Sequence, residues 1–112
     1  MAEEVITGSV LSFRLARAEQ FARQWRSNAK RLATLANNPR TPALVRADAL
    51  TEARTAAEIV AQRGAELAEL ARLRGYSAWQ ADPKVGPVVV EIQSVEHALN
   101  HVADTLRESE GR

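Results

Sequence analysis

The sequence predicts an all-α protein, an elongated three-helix bundle with coiled-coil-like seams made of a long antiparallel hairpin and a third helix. Alanine supplies 21 of the 112 residues while Phe, Tyr and Trp total five, a balance that favours helices over sheets. Apolar side chains recur at alternating steps of three and four residues in three long stretches. Most proline and glycine residues lie near the ends of these stretches or between them, where helices end. All 112 residues are therefore expected to form a single helical domain.

The first helix is predicted over residues 9–37. Ser9 or Thr7 is the expected N-cap, because either hydroxyl could accept a hydrogen bond from the first free amides. The Asn37-Asn38-Pro39 segment ends the helix, since proline cannot continue the hydrogen-bond ladder. The apolar positions of this helix follow steps of four and three residues without a gap. They are Leu11, Leu15, Ala18, Ala22, Trp25, Ala29, Leu32 and Ala36.

The second helix is predicted over residues 42–74, with Thr41 as N-cap and Pro42 in the first helical position. Its main seam is Leu50, Ala53, Ala57, Val60, Gly64, Leu67 and Ala71, and a weaker stripe is Ala56, Ile59, Leu70 and Leu73. Two apolar stripes predict two neighbouring helices. Gly64 would let another backbone approach closely, and Gly75 is the residue type that commonly ends a helix.

A loop with one short helical turn is expected over residues 75–86, where Ser77 to Gln80 has the spacing of a capping box. Tyr76 and Trp79 are predicted to cover the end of the bundle. The third helix is predicted over residues 87–109. The run Val88 to Val90 would also suit a strand, but helix is preferred because no second strand candidate exists to pair with it.

Composition limits the classes of protein that fit. The chain has no cysteine, which excludes disulfides and thiol chemistry. It shows no basic leader and no apolar run near the roughly 20 residues that cross a bilayer, so a cytoplasmic protein without membrane contact is expected. Long thin bundles with few large core residues often gain burial by self-association, which predicts a homo-oligomer.

The net charge of +1 conceals an asymmetry along the chain. Residues 9–46 carry eight basic side chains against the single Glu19, whereas residues 47–112 carry seven basic and eleven acidic ones. With the apolar seam turned inward, a basic surface remains on the outer side of the first helix. The candidate partner-binding residues on and beside this surface are Phe13, Arg17, Phe21, Arg23, Gln24, Lys30 and Arg31.

Phe13 has two interpretations at this stage. Because it lies opposite the seam, with Val10 and Phe21 at the border, it could form a contact patch for another protein. It could instead be covered by the N-terminal segment, with Val5 and Ile6 over its ring. The periodicity alone does not choose between them.

The chain shows no grouping that would support catalysis. His97 and His101 lie one helical turn apart, and Asp104 and Glu108 continue that face, but all four lie opposite the apolar seam. A catalytic metal needs shielded ligands that converge from more than one element, so a solvated polar face is the preferred interpretation. No phosphate-binding glycine loop or nucleophile elbow occurs. We expect no enzymatic activity, no cofactor, no metal and no small-molecule substrate.

The sequence thus favours a non-enzymatic, self-associating helical protein-interaction module that acts as an adaptor, an assembly or scaffold component, or an inhibitor of a larger complex. The alternative is a nucleic-acid-binding protein that uses the basic outer face of the first helix. The identity of a protein partner and the symmetry of an oligomer do not follow from the sequence.

Overall fold

The computed structural model describes residues 8–110, which form three long helices and one short 3₁₀ turn, with no strand in this part of the chain. Helix α1 is Gly8–Asn37, α2 is Ala43–Leu73, the 3₁₀ turn is Trp79–Ala81, and α3 is Gly86–Glu110. Each helix begins and ends within one residue of the expected positions. Val88, Val89 and Val90 are helical, which confirms the preferred alternative for that run.

The bundle is long and narrow, measuring 56 × 24 × 21 Å with a radius of gyration of 17.0 Å. A globular domain of this length would have a radius of gyration of about 13 Å. Two side-chain hydrogen bonds show that consecutive helices run in opposite directions. Arg31 of α1 contacts Glu52 of α2, and Arg46 of α2 contacts Ser109 of α3. No described helix is both long enough and apolar enough to span a bilayer.

Helix α3 supplies half of the buried valine, leucine and isoleucine side chains. Its buried hydrophobic residues are Val88, Val89, Ile92, Val95, Leu99, Val102, Ala103 and Leu106. The buried positions of α1 and α2 are mostly alanine, so the larger α3 side chains fill space that small residues leave open. At Gly64 an added methyl group would lie 3.4 Å from Cγ2 of Ile92, so the neighbour of this glycine is a side chain and not the backbone expected from the sequence. Contact is most extensive between α2 and α3 and least extensive between α1 and α2.

The predicted seam of α1 faces the core along its whole length, with Leu15 and Trp25 half-buried and the other six positions buried. The second stripe of α2 was only partly right. Ala56 and Leu70 are buried, but Ile59 and Leu73 are 42% and 48% exposed, because neither neighbouring helix reaches them.

The N-cap predicted for α2 was wrong, and of the two candidates for α1 only Ser9 can be judged. Ser9 lies inside α1, and Thr7 lies outside the described residues. At the second helix, Pro42 is the N-cap and α2 begins at Ala43. The Thr41 hydroxyl instead donates to the carbonyl oxygen of Leu35 at 2.8 Å, since the tight connection turns this side chain back toward the end of α1.

Arg46 ties the hairpin connection together. Its guanidinium donates to the carbonyl oxygens of Ala36 at 3.2 Å, Asn38 at 2.6 Å and Thr41 at 3.2 Å. The last carbonyls of a helix have no partner within the helix, so this side chain stabilises the end of α1 as well as the loop.

Helix α2 ends in a Schellman motif. The amide of Gly75 donates to the carbonyl oxygen of Arg72 at 2.9 Å, and the amide of Tyr76 donates to that of Ala71 at 3.2 Å. Gly75 has a φ of 98°, a conformation that L side chains rarely adopt, which explains glycine at this position.

The expected capping box at Ser77 was wrong. The N-cap of the 3₁₀ turn is Ala78, and its side chain makes no capping hydrogen bond. Trp79 is half-buried against the core, as expected of a ring that covers the end of the bundle, while Tyr76 is half-buried beside Arg74.

Asp82 organises the entry into α3. Its carboxylate accepts hydrogen bonds from Arg74 and from the amides of Lys84 at 3.0 Å and Val85 at 3.2 Å. Burial alone raises the pKa of this carboxyl, but these hydrogen bonds outweigh burial and hold the pKa below its ordinary value. The hydrogen bond to Asp82 in turn raises the pKa of Arg74.

Candidate interaction surface on the first helix

The basic surface predicted on α1 is divided into two strips by the neighbouring helices. Arg17, Gln24 and Arg31 recur at seven-residue steps and lie on the flank beside α2. Arg23 and Lys30, also seven residues apart, lie roughly 100–120° further round the helix axis. They are one turn before and after Arg26, which contacts Glu91 and Ser94 of α3, so this second strip lies nearer α3.

Two arginines of α1 are held by carboxylates of the bundle. Arg31 donates to both carboxylate oxygens of Glu52 on α2 at 2.8 Å. Arg26 lies 3.3 Å from the Glu91 carboxylate on α3. Arg31 therefore contributes to the contact between α1 and α2 and is less available to a partner than the sequence suggested.

Phe13 is exposed to 62% and is the more exposed of the two phenylalanines. The guanidinium of Arg17 lies 5.7 Å from the centre of its ring, a cation–π distance. Val5 and Ile6, the residues proposed to cover this ring, lie outside the described residues. Along the described part of the chain, Phe13 and Arg17 form an exposed aromatic and arginine pair.

Phe21 lies at the border of the surface and packs mainly against the bundle. It is half-buried, packs against the core, and makes an edge contact with Trp25 at 6.2 Å between ring centres. The guanidinium of Arg63 on α2 lies 5.0 Å from the centre of the Phe21 ring. Phe21 therefore helps to join α1 and α2.

An open groove runs between α1 and α2, as expected from their limited contact. One surface cavity in it has a volume of about 240 Å³ and is lined by Arg17, Gln20, Phe21, Gln24 and Arg63. A neighbouring cavity is lined by Arg14, Arg17, Ala18, Arg63, Glu66 and Leu67. Sequence reasoning omitted Arg63, because its place in this groove depends on how α1 and α2 align.

Several charges have no opposite charge within 4.0 Å in the described part of the chain. On α1 these are the cations Arg14, Arg17, Arg23 and Lys30. On α2 and α3 they include the carboxylates Asp48, Glu58, Glu96 and Glu108. The paired arginines with contacts between elements are Arg26, Arg31 and Arg74.

Further exposed apolar side chains lie away from α1. Leu44 is 81% exposed at the start of α2, and Val90 is 55% exposed on α3. Sequence reasoning did not identify either residue, because a seam pattern shows where apolar residues recur and not which of them a neighbouring helix covers.

The histidine face of α3 is open to solvent. His97, His101, Asp104 and Glu108 are all exposed, and Asp104 accepts a hydrogen bond from Arg107 at 2.9 Å. Within residues 8–110, no three or more side chains of His, Cys, Asp or Glu are grouped as metal ligands.

Comparison of the chain with protein-family models, with curated proteins and with solved structures found no match.

Proposed function

We propose that this chain is a non-enzymatic protein-interaction module that self-associates through α1, in the role of an adaptor, a scaffold component or an inhibitor of a larger complex. The observation that carries the proposal is the exposed Phe13 ring with the Arg17 guanidinium beside it. Protein interfaces are enriched in aromatic residues and arginine, and a few such side chains contribute most of the binding energy.

Charge complementarity supports a second copy of this chain as the partner. The unpaired charges of α1 include Arg14, Arg17, Arg23 and Lys30. Unpaired carboxylates lie on the other two helices, at Asp48, Glu58, Glu96 and Glu108. A second copy that lays α2 or α3 along α1 would bring opposite charges together over much of the 56 Å length.

Light scattering at micromolar concentration tests the proposal. The intact chain is expected to give about twice its 12.3 kDa mass and to dissociate on dilution. Phe13→Asp is expected to be a folded monomer, because the charge removes an apolar contact from the interface. Leu44→Asp adds the same charge to an exposed apolar side chain at the opposite end of the bundle, and it should lower the mass less than Phe13→Asp does.

Circular dichroism separates an interface from a structural role. A Phe13→Asp protein with intact helicity and half the mass supports the proposal, whereas loss of helicity would place Phe13 in the core. A monomeric mass for the intact chain at every concentration would refute self-association.

Nucleic-acid binding is the second candidate function, favoured by the unpaired cations on α1. Arg23 and Lys30 form an exposed strip without a carboxylate within 4.0 Å in the described chain, and such a strip suits a phosphate backbone. Fluorescence anisotropy with duplex and single-stranded probes tests this candidate. Binding should weaken steeply with salt and should be lost in the double variant Arg23→Glu and Lys30→Glu. Salt-independent binding would contradict it.

A further inference from the structure

The polar cavity between α1 and α2 combines residues of the interaction surface on α1 with Arg63 of α2. Its lining residues are Arg17, Gln20, Phe21, Gln24 and Arg63. Two guanidiniums and two carboxamides therefore surround a space of about 240 Å³, and no carboxylate is part of the lining. Guanidiniums carry a positive charge at every physiological pH, so the cavity is positive throughout that range.

The side chain of Arg63 contacts the Phe21 ring and makes only a long ion pair with Glu66. Its guanidinium lies 5.0 Å from the centre of the Phe21 ring. The nearest carboxylate, that of Glu66, is 3.8 Å away, too long for a hydrogen bond. Stacking on the ring restricts the side chain while its N–H groups stay available, which reduces the ordering cost of binding an anion.

The α1 side of the cavity is built from consecutive turns of one helical face. Gln20 and Gln24 follow Arg17 at steps of three and four residues, so the three side chains point to the same flank. Arg14, one turn earlier, lines the adjoining cavity together with Arg17 and Arg63. Two guanidiniums and two amide groups can therefore donate hydrogen bonds to an anion in the 240 Å³ cavity.

We infer that this cavity is a binding site for a phosphoryl group. A phosphoryl group has several acceptor oxygens and up to two negative charges, which matches donors that arrive from two helices. Guanidiniums pair with phosphate through two parallel hydrogen bonds, and Arg17 and Arg63 each offer such a fork. The group could belong to a free polyphosphate or to the phosphodiester backbone of a nucleic acid, since both present the same oxygens.

Isothermal titration calorimetry of the full chain at low salt tests the site, with inorganic pyrophosphate in one arm and a short single-stranded oligonucleotide in the other. Binding with a Kd below about 1 mM is expected in at least one arm, and the tighter arm identifies the source. Arg63→Gln is expected to weaken that binding by about tenfold or more, because one charged hydrogen-bond fork is lost. Arg17→Gln is expected to have a similar effect.

Arg54→Gln is the matched control. Arg54 is an exposed arginine of the same helix, but it lies nine residues from Arg63 and so on the opposite side of α2. It should change the Kd by less than about twofold if the site and not the overall charge binds the anion. Glu66→Gln should tighten binding, because it removes a negative charge beside Arg63.

Two results would overturn the inference: no heat of binding in either arm up to about 1 mM ligand, or equal losses in Arg63→Gln and Arg54→Gln. All of these substitutions lie on exposed side chains, and circular dichroism verifies that each variant keeps its helices. The inference does not depend on self-association, since light scattering measures the proposed oligomer and calorimetry measures the anion site.

Discussion

The Asp82 carboxylate lies wholly inside the protein and accepts two hydrogen bonds from the Arg74 guanidinium, at 2.8 Å from Nε and 3.3 Å from Nη2. Arg74 is the residue that follows α2, and Asp82 precedes the turn that begins α3. This ion pair therefore joins the two helices that make the most extensive contact in the bundle, at the end where the chain passes between them.

Replacing Asp82 with alanine should destabilise the protein by about 2–4 kcal/mol, because a half-buried arginine and two backbone amides lose their buried acceptor. Chemical denaturation followed by circular dichroism measures the change. The control is Asp104→Ala, which removes an exposed ion pair with Arg107 and should cost less than about 1 kcal/mol. Equal effects of the two substitutions would show that burial of Asp82 contributes nothing.

The same ion pair predicts a pH dependence. Because the pKa of Asp82 is lower in the folded protein than in the unfolded chain, its ionised form stabilises the fold. This contribution is complete above the ordinary aspartate pKa of about 4 and is lost as the pH falls below it. The difference in unfolding free energy between the intact chain and Asp82→Asn should therefore shrink from pH 7 to pH 3. A difference that grows over this range would contradict the assignment.

Arg46→Ala should lower the unfolding free energy by about 1–3 kcal/mol, because three carbonyl oxygens at the hairpin connection lose a charged donor. Arg46→Lys should recover only part of the loss, since an ammonium cannot reproduce the planar fork. Arg54→Ala tests whether charge alone matters, as this exposed arginine of α2 has no hydrogen-bond partner within the described chain. Thermal or urea unfolding distinguishes the three variants.

Gly64, inside α2, and Gly75, just after it, should respond in opposite directions to alanine. Gly64 has helical geometry, and an added methyl would meet Ile92 at 3.4 Å, so Gly64→Ala should change stability between zero and about +1 kcal/mol. Gly75→Ala should cost about 1 kcal/mol or more, because φ is 98° there. Melting temperatures that fall equally in both variants would show that the core at Gly64 has no space for a methyl group. Gly64→Leu should destabilise strongly through overpacking.

The three helices could be predicted because each carries a strong period in its own sequence. Leu11 to Ala36 repeat without a miss, and this local pattern states which side of α1 is buried. The details of the surface could not be obtained in the same way. Whether Arg31 is free depends on the position of Glu52 on the neighbouring helix. Whether Ile59 is covered depends on the distance to the neighbouring helices. The local sequence determines neither property.

The polar residues of the loops were harder to predict for a related reason. Asp82 precedes a proline, which indicates a turn, but its burial requires the end of α2 to place Arg74 beside it. Thr41 and Ser77 have the residue types of helix caps, yet the geometry of each connection gives the capping position to a neighbour. Arg63, central to the proposed anion site, becomes visible only when α1 and α2 are aligned.

The contribution of α3 to the core has a consequence for the stability of the hairpin formed by α1 and α2. More than half of the buried positions of α1 and α2 are alanine, and half of the buried valine, leucine and isoleucine side chains belong to α3. Without α3, the hairpin of α1 and α2 would leave much of its apolar surface in water, so this hairpin alone is expected to be only partly folded.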